Sequence, residues 1–155
     1  MDEVMKVIIA GSRTLHHLQP VHQRQALKLI DMFEELYGPI TMVVSGTATG
    51  PDKIGEYYAK LTNIDIAQFP AQWDSHSKAA GIVRNDEMAD FADAAIILWD
   101  GKSRGTKHMT EAMRKRKKPV ICQIYEPIPI YRHQPSGIIK RTVPVDYSQG
   151  DKAYD

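Results

Sequence analysis

Short apolar runs recur along this chain, and each ends in a turn or a polar loop. Runs of this length, bounded by Gly, Pro or polar residues, are typical of buried β-strands. We predict five strands, at residues 6–10, 41–45, 64–69, 94–99 and 119–125.

Between these runs the apolar residues recur at helical spacing. The first such set follows Pro20 and comprises Ala26, Leu27, Ile30, Phe33, Leu36 and Tyr37. Gly38-Pro39 ends that helix, and Pro51 suits the first turn of the next one. Two further helices are predicted at residues 75–91 and 106–117.

Strands that alternate with helices predict an α/β protein. Right-handed crossovers then favour a Rossmann-like, doubly wound, mainly parallel five-stranded sheet with helices on both faces. The pattern breaks beyond Pro127, where Pro129, Pro135 and Pro144 interrupt the apolar stretches. We expect one domain over residues 1–126. Residues 127–155 are predicted to be a Pro-rich extension, either a hairpin or an edge strand, and not a separate domain.

Composition narrows the class of protein. The 20 Lys and Arg nearly balance the 19 Asp and Glu, so no strong overall field attracts nucleic acid or a membrane. Cys122 is the single cysteine, which excludes an intrachain disulfide and a cysteine-rich zinc site. An acidic start and the absence of a long apolar run predict a soluble, cytoplasmic protein. No metal site and no cofactor are predicted.

Three loops leave the predicted strands at one edge of the sheet, at residues 11–13, 45–52 and 100–106. They are rich in Gly, Ser, Thr and Arg, which suit a phosphate held by backbone N–H groups and helix starts. Arg13 and Arg104 each offer a bidentate donor. Gly50-Pro51-Asp52 stands where a P-loop has Gly-Lys-Ser/Thr, and no G-x-G-x-x-G is present. Generic ATPase and NAD-dehydrogenase functions are therefore disfavoured.

These loops belong to a longer series of motifs. It comprises AGSR at 10–13, VSGTATGPD at 44–52, FPAQWD at 69–74, RNDEMAD at 84–90 and WDGKSRGT at 99–106. The series resembles the YspA-like branch of the SLOG superfamily over about residues 6–125. The resemblance implies a Rossmann-like fold that binds nucleotides or ADP-ribose-like molecules.

The LOG-type phosphoribohydrolases of that superfamily suggest an enzyme as the alternative. By this resemblance Arg84 matches their active-site arginine, and Gly105-Thr106 match their phosphate motif. Met109, however, stands where they have the catalytic glutamate, and a thioether transfers no proton. Asp52, Asp100 and Glu111 are the remaining candidate carboxylates. Glu111 lies two residues past Met109, about 200° around a helix, and is expected to face elsewhere.

Several other features have a structural and a functional interpretation. Trp73 is expected either to stack on a base or to pack in the core. The cluster of His16, His17 and His22 lacks the spacing of a metal site. The basic run at residues 114–118 is either a nucleic-acid patch or, as we favour, a solvated helix end that complements the dipole.

The favoured function is a sensor or sequestering protein for a nucleotide or ADP-ribose-like ligand. A nucleotide N-glycosidic hydrolase or transferase is the alternative, and nucleic-acid binding is the least favoured; nucleic acid and membranes are not expected as partners. The oligomeric state stays open between a homodimer and a higher homo-oligomer. The predicted ligand-binding residues are Gly11, Ser12, Arg13, Ser45, Gly46, Thr47, Ala48, Thr49, Gly50, Asp52, Trp73, Arg84, Asn85, Asp100, Ser103, Arg104, Gly105 and Thr106.

Overall fold

The computed structural model describes residues 3–72, 79–129, 131–132 and 143–144. Strands and helices alternate along these residues. In chain order they are β1 (Lys6–Gly11), α1 (Pro20–Tyr37), β2 (Met42–Ser45), α2 (Pro51–Thr62), β3 (Asp65–Gln68), α3 (Ala80–Phe91), β4 (Ala94–Trp99), α4 (Arg104–Lys115), β5 (Val120–Ile124), β6 (Tyr131–Arg132) and β7 (Val143–Pro144).

The first five strands form one parallel sheet in the order β3-β2-β1-β4-β5. The chain runs outward from β1 to β3, and α3 then returns it to β4 on the other side of β1. The strand order therefore reverses between β1 and β4, as in a doubly wound fold. The predicted Rossmann-like architecture is confirmed.

Side chains of alternate strand residues enter two separate cores, one on each face of the sheet. Val7 and Ile9 of β1 pack with α1 and α2, whereas Ile8 between them packs with α3 and α4. The period of two follows from the pleat of a strand. Because both faces of β1 are covered, all three side chains are fully buried. Burial of an aliphatic side chain of this size contributes about 1.5–3 kcal/mol to stability.

Helix α4 begins at Arg104, two residues before the predicted start. Asp100 explains the shift, because its Oδ1 accepts hydrogen bonds from the backbone N–H groups of Lys102 and Ser103, each at 2.8 Å. This turn tightens the loop, so that Arg104 and Gly105 join the first helical turn.

The segment that follows β5 is anchored on α1. The N–H of Ile128 donates to Nε2 of His22 at 3.0 Å, and Nε2 of Gln19 donates to the carbonyl of Pro129 at 2.7 Å. β6 and β7 pair antiparallel in a small second sheet, which fits the hairpin alternative. The predicted domain boundary at residue 126 stays a prediction. Among the described residues, no helix has the length and apolar character to cross a membrane.

Candidate functional site

A cavity of about 190 Å³ opens at the carboxyl edge of the sheet, where β1 and β4 diverge. This is the position at which doubly wound sheets bind ligands. Its lining residues are Ala10, Gly11, Arg13, Gly46, Thr47, Ala48, Asp52, Pro70, Ala71, Arg84, Asn85, Met88, Ile97, Gly105, Thr106 and Met109.

The loop after β1 is packed directly against β4. A Cβ on Gly11 would collide with the carbonyl oxygen of Leu98, so glycine is required there. Ser12 is fully buried, and its Oγ accepts the N–H of Asp100 at 3.0 Å and shares a hydrogen bond with Oγ1 of Thr106 at 3.2 Å. Ser12 therefore links the loop after β1 to the loop after β4 and supports the cavity wall without lining it.

The loop after β2 forms the opposite wall. Thr47 has a φ of 66° and Gly50 a φ of 91°, both in the left-handed region that a sharp turn requires. Oγ of Ser45 accepts the N–H of Thr47 at 3.0 Å and donates to Oε2 of the buried Glu56 at 2.6 Å. These contacts fix the backbone of residues 46–48 where it faces the cavity.

Arg84 and Asn85 of α3 connect the two walls. Nη1 of Arg84 donates to the carbonyl of Gly46 at 2.6 Å, and its Nε donates to Oδ1 of Asn85 at 2.9 Å. Nδ2 of Asn85 donates to the carbonyl of Gly105 at 3.2 Å. A Cβ on Gly46 would collide with the guanidinium of Arg84, so a larger residue would displace it.

Asp52 lies at the floor of the cavity and is 4% exposed. Burial raises the pKa of its carboxyl group to about 6, although the charge of Arg84 and the N–H groups of Ala48 and Gly11 favour the carboxylate. The nearby charge of Glu56 adds to the upward shift. The net charge of the cavity therefore changes within the range near neutral pH.

Asp100 has a different environment. Burial opposes its ionisation, but hydrogen bonds from Ser103, Lys102 and Thr14 outweigh burial and lower the pKa of Asp100. The Thr14 hydroxyl donates to Oδ2 at 2.8 Å. With both oxygens occupied in this way, Asp100 holds the loop and does not line the cavity.

The structure brings most of the predicted ligand-binding residues together, and their role stays a prediction. Those that line the cavity are Gly11, Arg13, Gly46, Thr47, Ala48, Asp52, Arg84, Asn85, Gly105 and Thr106. Those that lie outside its lining are Ser12, Ser45, Thr49, Gly50, Asp100, Ser103 and Arg104. Trp73 is outside the described residues. The candidate carboxylate Glu111 is exposed on α4 and is not a lining residue.

The sequence interpretation missed apolar members of the lining. Met88 and Ile97 belong to the core pattern of α3 and β4, and Pro70 and Ala71 follow β3. Periodicity marks Met88 and Ile97 as core residues and does not reveal that one side of each reaches a cavity. Met109, noted only as a lost catalytic position, also lines it.

Three lysine and arginine residues lie in and before the first turn of α4, the turn whose Gly105 and Thr106 line the cavity, and none of the three is itself a lining residue. Lys102, Arg104 and Lys107 are exposed, and none forms an ion pair with another described residue. We call these three residues the cationic rim. Helix N-termini favour anions, and the first turn of α4 has no acidic residue, so Arg104 and Lys107 are placed against the helix dipole.

The fold and the site together define a Rossmann-like α/β protein with a small polar cavity at its topological switch point. DNA processing protein A from Helicobacter pylori, whose structure is described for its single-stranded DNA binding mode, has a similar fold. The TM-score is 0.56 at 21% identity, over 79% of this chain and 68% of that chain.

A relative is detected by sequence as well. The chain is 33% identical over 122 residues to the Gene 61 protein of Mycobacterium phage D29, which covers 75% of this chain and 94% of that protein. The chain belongs to the family of this phage protein. No protein-family model matches the chain.

Two predictions made from the sequence are wrong. The solved protein of similar fold is described for its single-stranded DNA binding mode, and this finding contradicts both a nucleotide or ADP-ribose sensor and the expectation that nucleic acid is not a partner. The comparisons give no support to the SLOG assignment, to an ADP-ribose ligand or to a glycosidase activity. Loops that accept a phosphate do so through N–H groups and cations, and these do not reveal whether the phosphate belongs to a nucleotide or to a strand. The cavity volume of about 190 Å³ is also below the roughly 300–1,000 Å³ of small-molecule pockets.

Proposed function

We propose that this protein binds single-stranded DNA at the carboxyl edge of its sheet. The observation that carries the proposal is the cationic rim, Lys102, Arg104 and Lys107, at the start of the helix whose Gly105 and Thr106 line the cavity. The placement of Arg104 and Lys107 opposes the dipole of α4, so helix stability does not account for them. An anion bound at the start of α4 would account for the two cations.

The cavity accepts one backbone phosphate in this proposal. Arg13 of the loop after β1 and Arg84 of α3 both line it, and Gly105 and Thr106 belong to the first turn of α4, where N–H groups lack helical partners. The adjoining phosphates of the strand then lie along the rim. A polynucleotide needs only an open groove of this kind, because most of it remains outside the protein.

The basic run at residues 114–118 lies at the other end of α4, away from the cavity. Nε of Arg116 donates to Oδ1 of Asp90 at 2.7 Å, and Nζ of Lys118 donates to the carbonyl of Ala89 at 2.7 Å. These contacts engage two of its five side chains with α3. The remaining cations complement the helix dipole, so the run has a structural explanation that the rim lacks.

The finer family assignment belongs with this proposal. We propose that the chain is a member of the YspA-like branch of the SLOG superfamily, on the motifs that it carries at residues 10–13, 44–52 and 99–106. That superfamily also includes a DNA-processing branch, so the resemblance is compatible with single-stranded DNA as the ligand.

The test compares two triple variants that each remove three positive charges. K102Q/R104Q/K107Q neutralises the rim, and R114Q/K115Q/K117Q neutralises exposed cations at the opposite end of α4. Binding of an oligothymidylate is measured by fluorescence anisotropy over a range of salt concentrations. We expect the rim variant to bind more weakly. The slope of log K against log salt should fall in magnitude by about 2, because each of the three lost phosphate contacts contributes about 0.7.

The control variant is expected to match the parent in both affinity and slope. Equal losses in the two variants would show that binding follows net charge and not the rim. A parent protein that does not bind the oligonucleotide would overturn the proposed function itself.

A further inference from the structure

A row of aromatic side chains contacts the end of the loop after β2, at Gly50, and is not explained by phosphate binding. The rings of His16 and His17 are stacked, with centroids 4.3 Å apart and an interplanar angle of 21°. The ring of Tyr57 on α2 approaches His17 edge-on, at 6.1 Å and 64°. We call these three residues the aromatic row.

The row is fixed to the loop that forms one wall of the cavity. Nδ1 of His17 accepts the N–H of Gly50 at 3.1 Å, and Gly50 ends the loop whose residues 46–48 line the cavity. The carbonyl of His17 accepts a hydrogen bond from Nε2 of Gln23 at 2.8 Å. The row and the phosphate site are therefore held in one rigid arrangement.

The rings of the row are partly open to solvent. Tyr57 is 41% exposed, and its hydroxyl makes no hydrogen bond to any residue that the structure describes. A tyrosine that served the core would be buried and would have a partner for its hydroxyl. Its exposed face is thus available to a ligand.

The environment of the two histidines lowers their pKa values. Burial is the main factor that lowers the pKa of His16 and of His17, and the charge of Lys53 lowers the pKa of His17 further. Within the described residues, no group of three or more His, Cys, Asp or Glu could hold a metal ion. The lowered pKa values favour the uncharged imidazole form of both rings.

We propose that the aromatic row, His16, His17 and Tyr57, is a stacking platform for a base of single-stranded DNA, next to the phosphate in the cavity. The inference rests on the proposed function and deepens it, because it assigns a base-binding subsite to the same edge of the sheet. Bases stack on aromatic side chains with little regard to sequence. The platform would therefore contribute affinity without base specificity.

The experiment distinguishes the contribution of the bases to binding from that of the phosphate backbone. An oligothymidylate and an abasic strand of the same length carry the same phosphates, and only the first can stack. We expect the parent to prefer the oligothymidylate by roughly 5- to 160-fold, the effect of stacking one base. Tyr57→Leu should lose most of this preference, whereas Tyr57→Phe should keep it, because it retains the ring.

Tyr37→Leu is the matched control, since Tyr37 is similarly exposed at 47% but lies at the far end of α1. A strand that contains 2-aminopurine adds a spectroscopic readout, because stacking quenches its fluorescence. The quenching should persist in Tyr57→Phe and Tyr37→Leu and disappear in Tyr57→Leu.

The outcomes distinguish the two proposals. A parent that binds both strands equally well, or a Tyr57→Leu variant that keeps the full preference, would overturn the platform and leave the phosphate site standing. A parent that binds neither strand would overturn the proposed function.

Discussion

Asp52 and Arg84 form the central charged pair of the cavity. The carboxyl group is buried, and the charge of the guanidinium favours its ionised form, while Nη1 of Arg84 donates to the carbonyl of Gly46 at 2.6 Å. While Asp52 is ionised, it offsets the positive charge that would attract a phosphate. Protonation of Asp52 removes that offset, so the affinity of the cavity for an anion depends on pH.

The first prediction concerns the substitution Asp52→Asn. Because the pKa of Asp52 is about 6, we expect the parent to bind single-stranded DNA more tightly as the pH falls from about 7 to 5. The variant should bind tightly throughout this range. The difference between the two curves isolates the contribution of Asp52. Asp65→Asn on the exposed edge of β3 is the control and should follow the parent.

The raised pKa of Asp52 also predicts how the stability of the protein depends on pH. The folded pKa of Asp52 lies above its unfolded value of 3.8, so the folded state binds the proton more tightly. The stabilisation is complete below about pH 4 and is lost as the pH rises through about 6, by at most about 3 kcal/mol. Urea unfolding between pH 4 and 7 should show this decline in the parent, and Asp52→Asn should reduce it. A parent whose stability rises over that interval relative to the variant would contradict the assignment.

At the scale of elements, α2 delivers Asp52 to the cavity and depends on close contact with β1. Gly55 allows this contact, since a Cβ there would lie 2.7 Å from Cβ of Ile9. The backbone of the helix therefore rests directly on a strand side chain. The position of Asp52, three residues earlier, follows from that contact.

Gly55→Ala tests this packing. In an open helix the change would stabilise by roughly 0.5–1 kcal/mol. Here we expect a loss of about 1–3 kcal/mol, because the added methyl group has no space and must push α2 away from the sheet. Chemical denaturation measures the change, and binding of single-stranded DNA should weaken because the cavity loop that precedes α2 shifts with the helix. A gain in stability would mean that α2 and β1 are less closely packed than described.

At the scale of the whole molecule, the net charge of +1 conceals two positive clusters, one at each end of α4. The rim stands at the start of this helix, and Arg114 and Lys115 stand in its last turn. The overall field is weak, so any attraction of DNA must be local. Binding is accordingly expected to depend on which cations are removed and not on how many.

The last prediction concerns the anchor on α1 of the segment that follows β5. His22 is fully buried, and since its Nε2 accepts the N–H of Ile128, its Nδ1 donates to Gln25, at 2.7 Å. A chain that ends at residue 126 loses this bond and the one from Gln19 to Pro129, whereas a chain that ends at residue 129 keeps both. We expect the shorter chain to unfold more easily, by about 1–3 kcal/mol for an unsatisfied buried nitrogen. Equal melting temperatures would show that the anchor contributes nothing.

The sequence by itself determined the class of fold. Alternation of short apolar runs with helical periodicity is enough to predict five parallel strands wrapped by helices, because each element must bury its apolar side chains. It also identified the three loops at the cavity, since Gly11, Gly46 and Gly50 stand where strands end. Arg84 was found by resemblance, although it is more than 30 residues from the loop that it contacts.

Only the tertiary structure decided how these parts work together. Met88 and Ile97 read as core residues, and their place in the cavity depends on how helices and strands converge. Asp52 and Asp100 are alike in sequence, yet burial raises the pKa of the first and hydrogen bonds lower that of the second. The sequence shows the basic run at residues 114–118 as a candidate nucleic-acid patch, whereas the structure places this run at the opposite end of α4 from the rim. These properties arise from contacts between residues that are distant in the chain, and local patterns do not record such contacts.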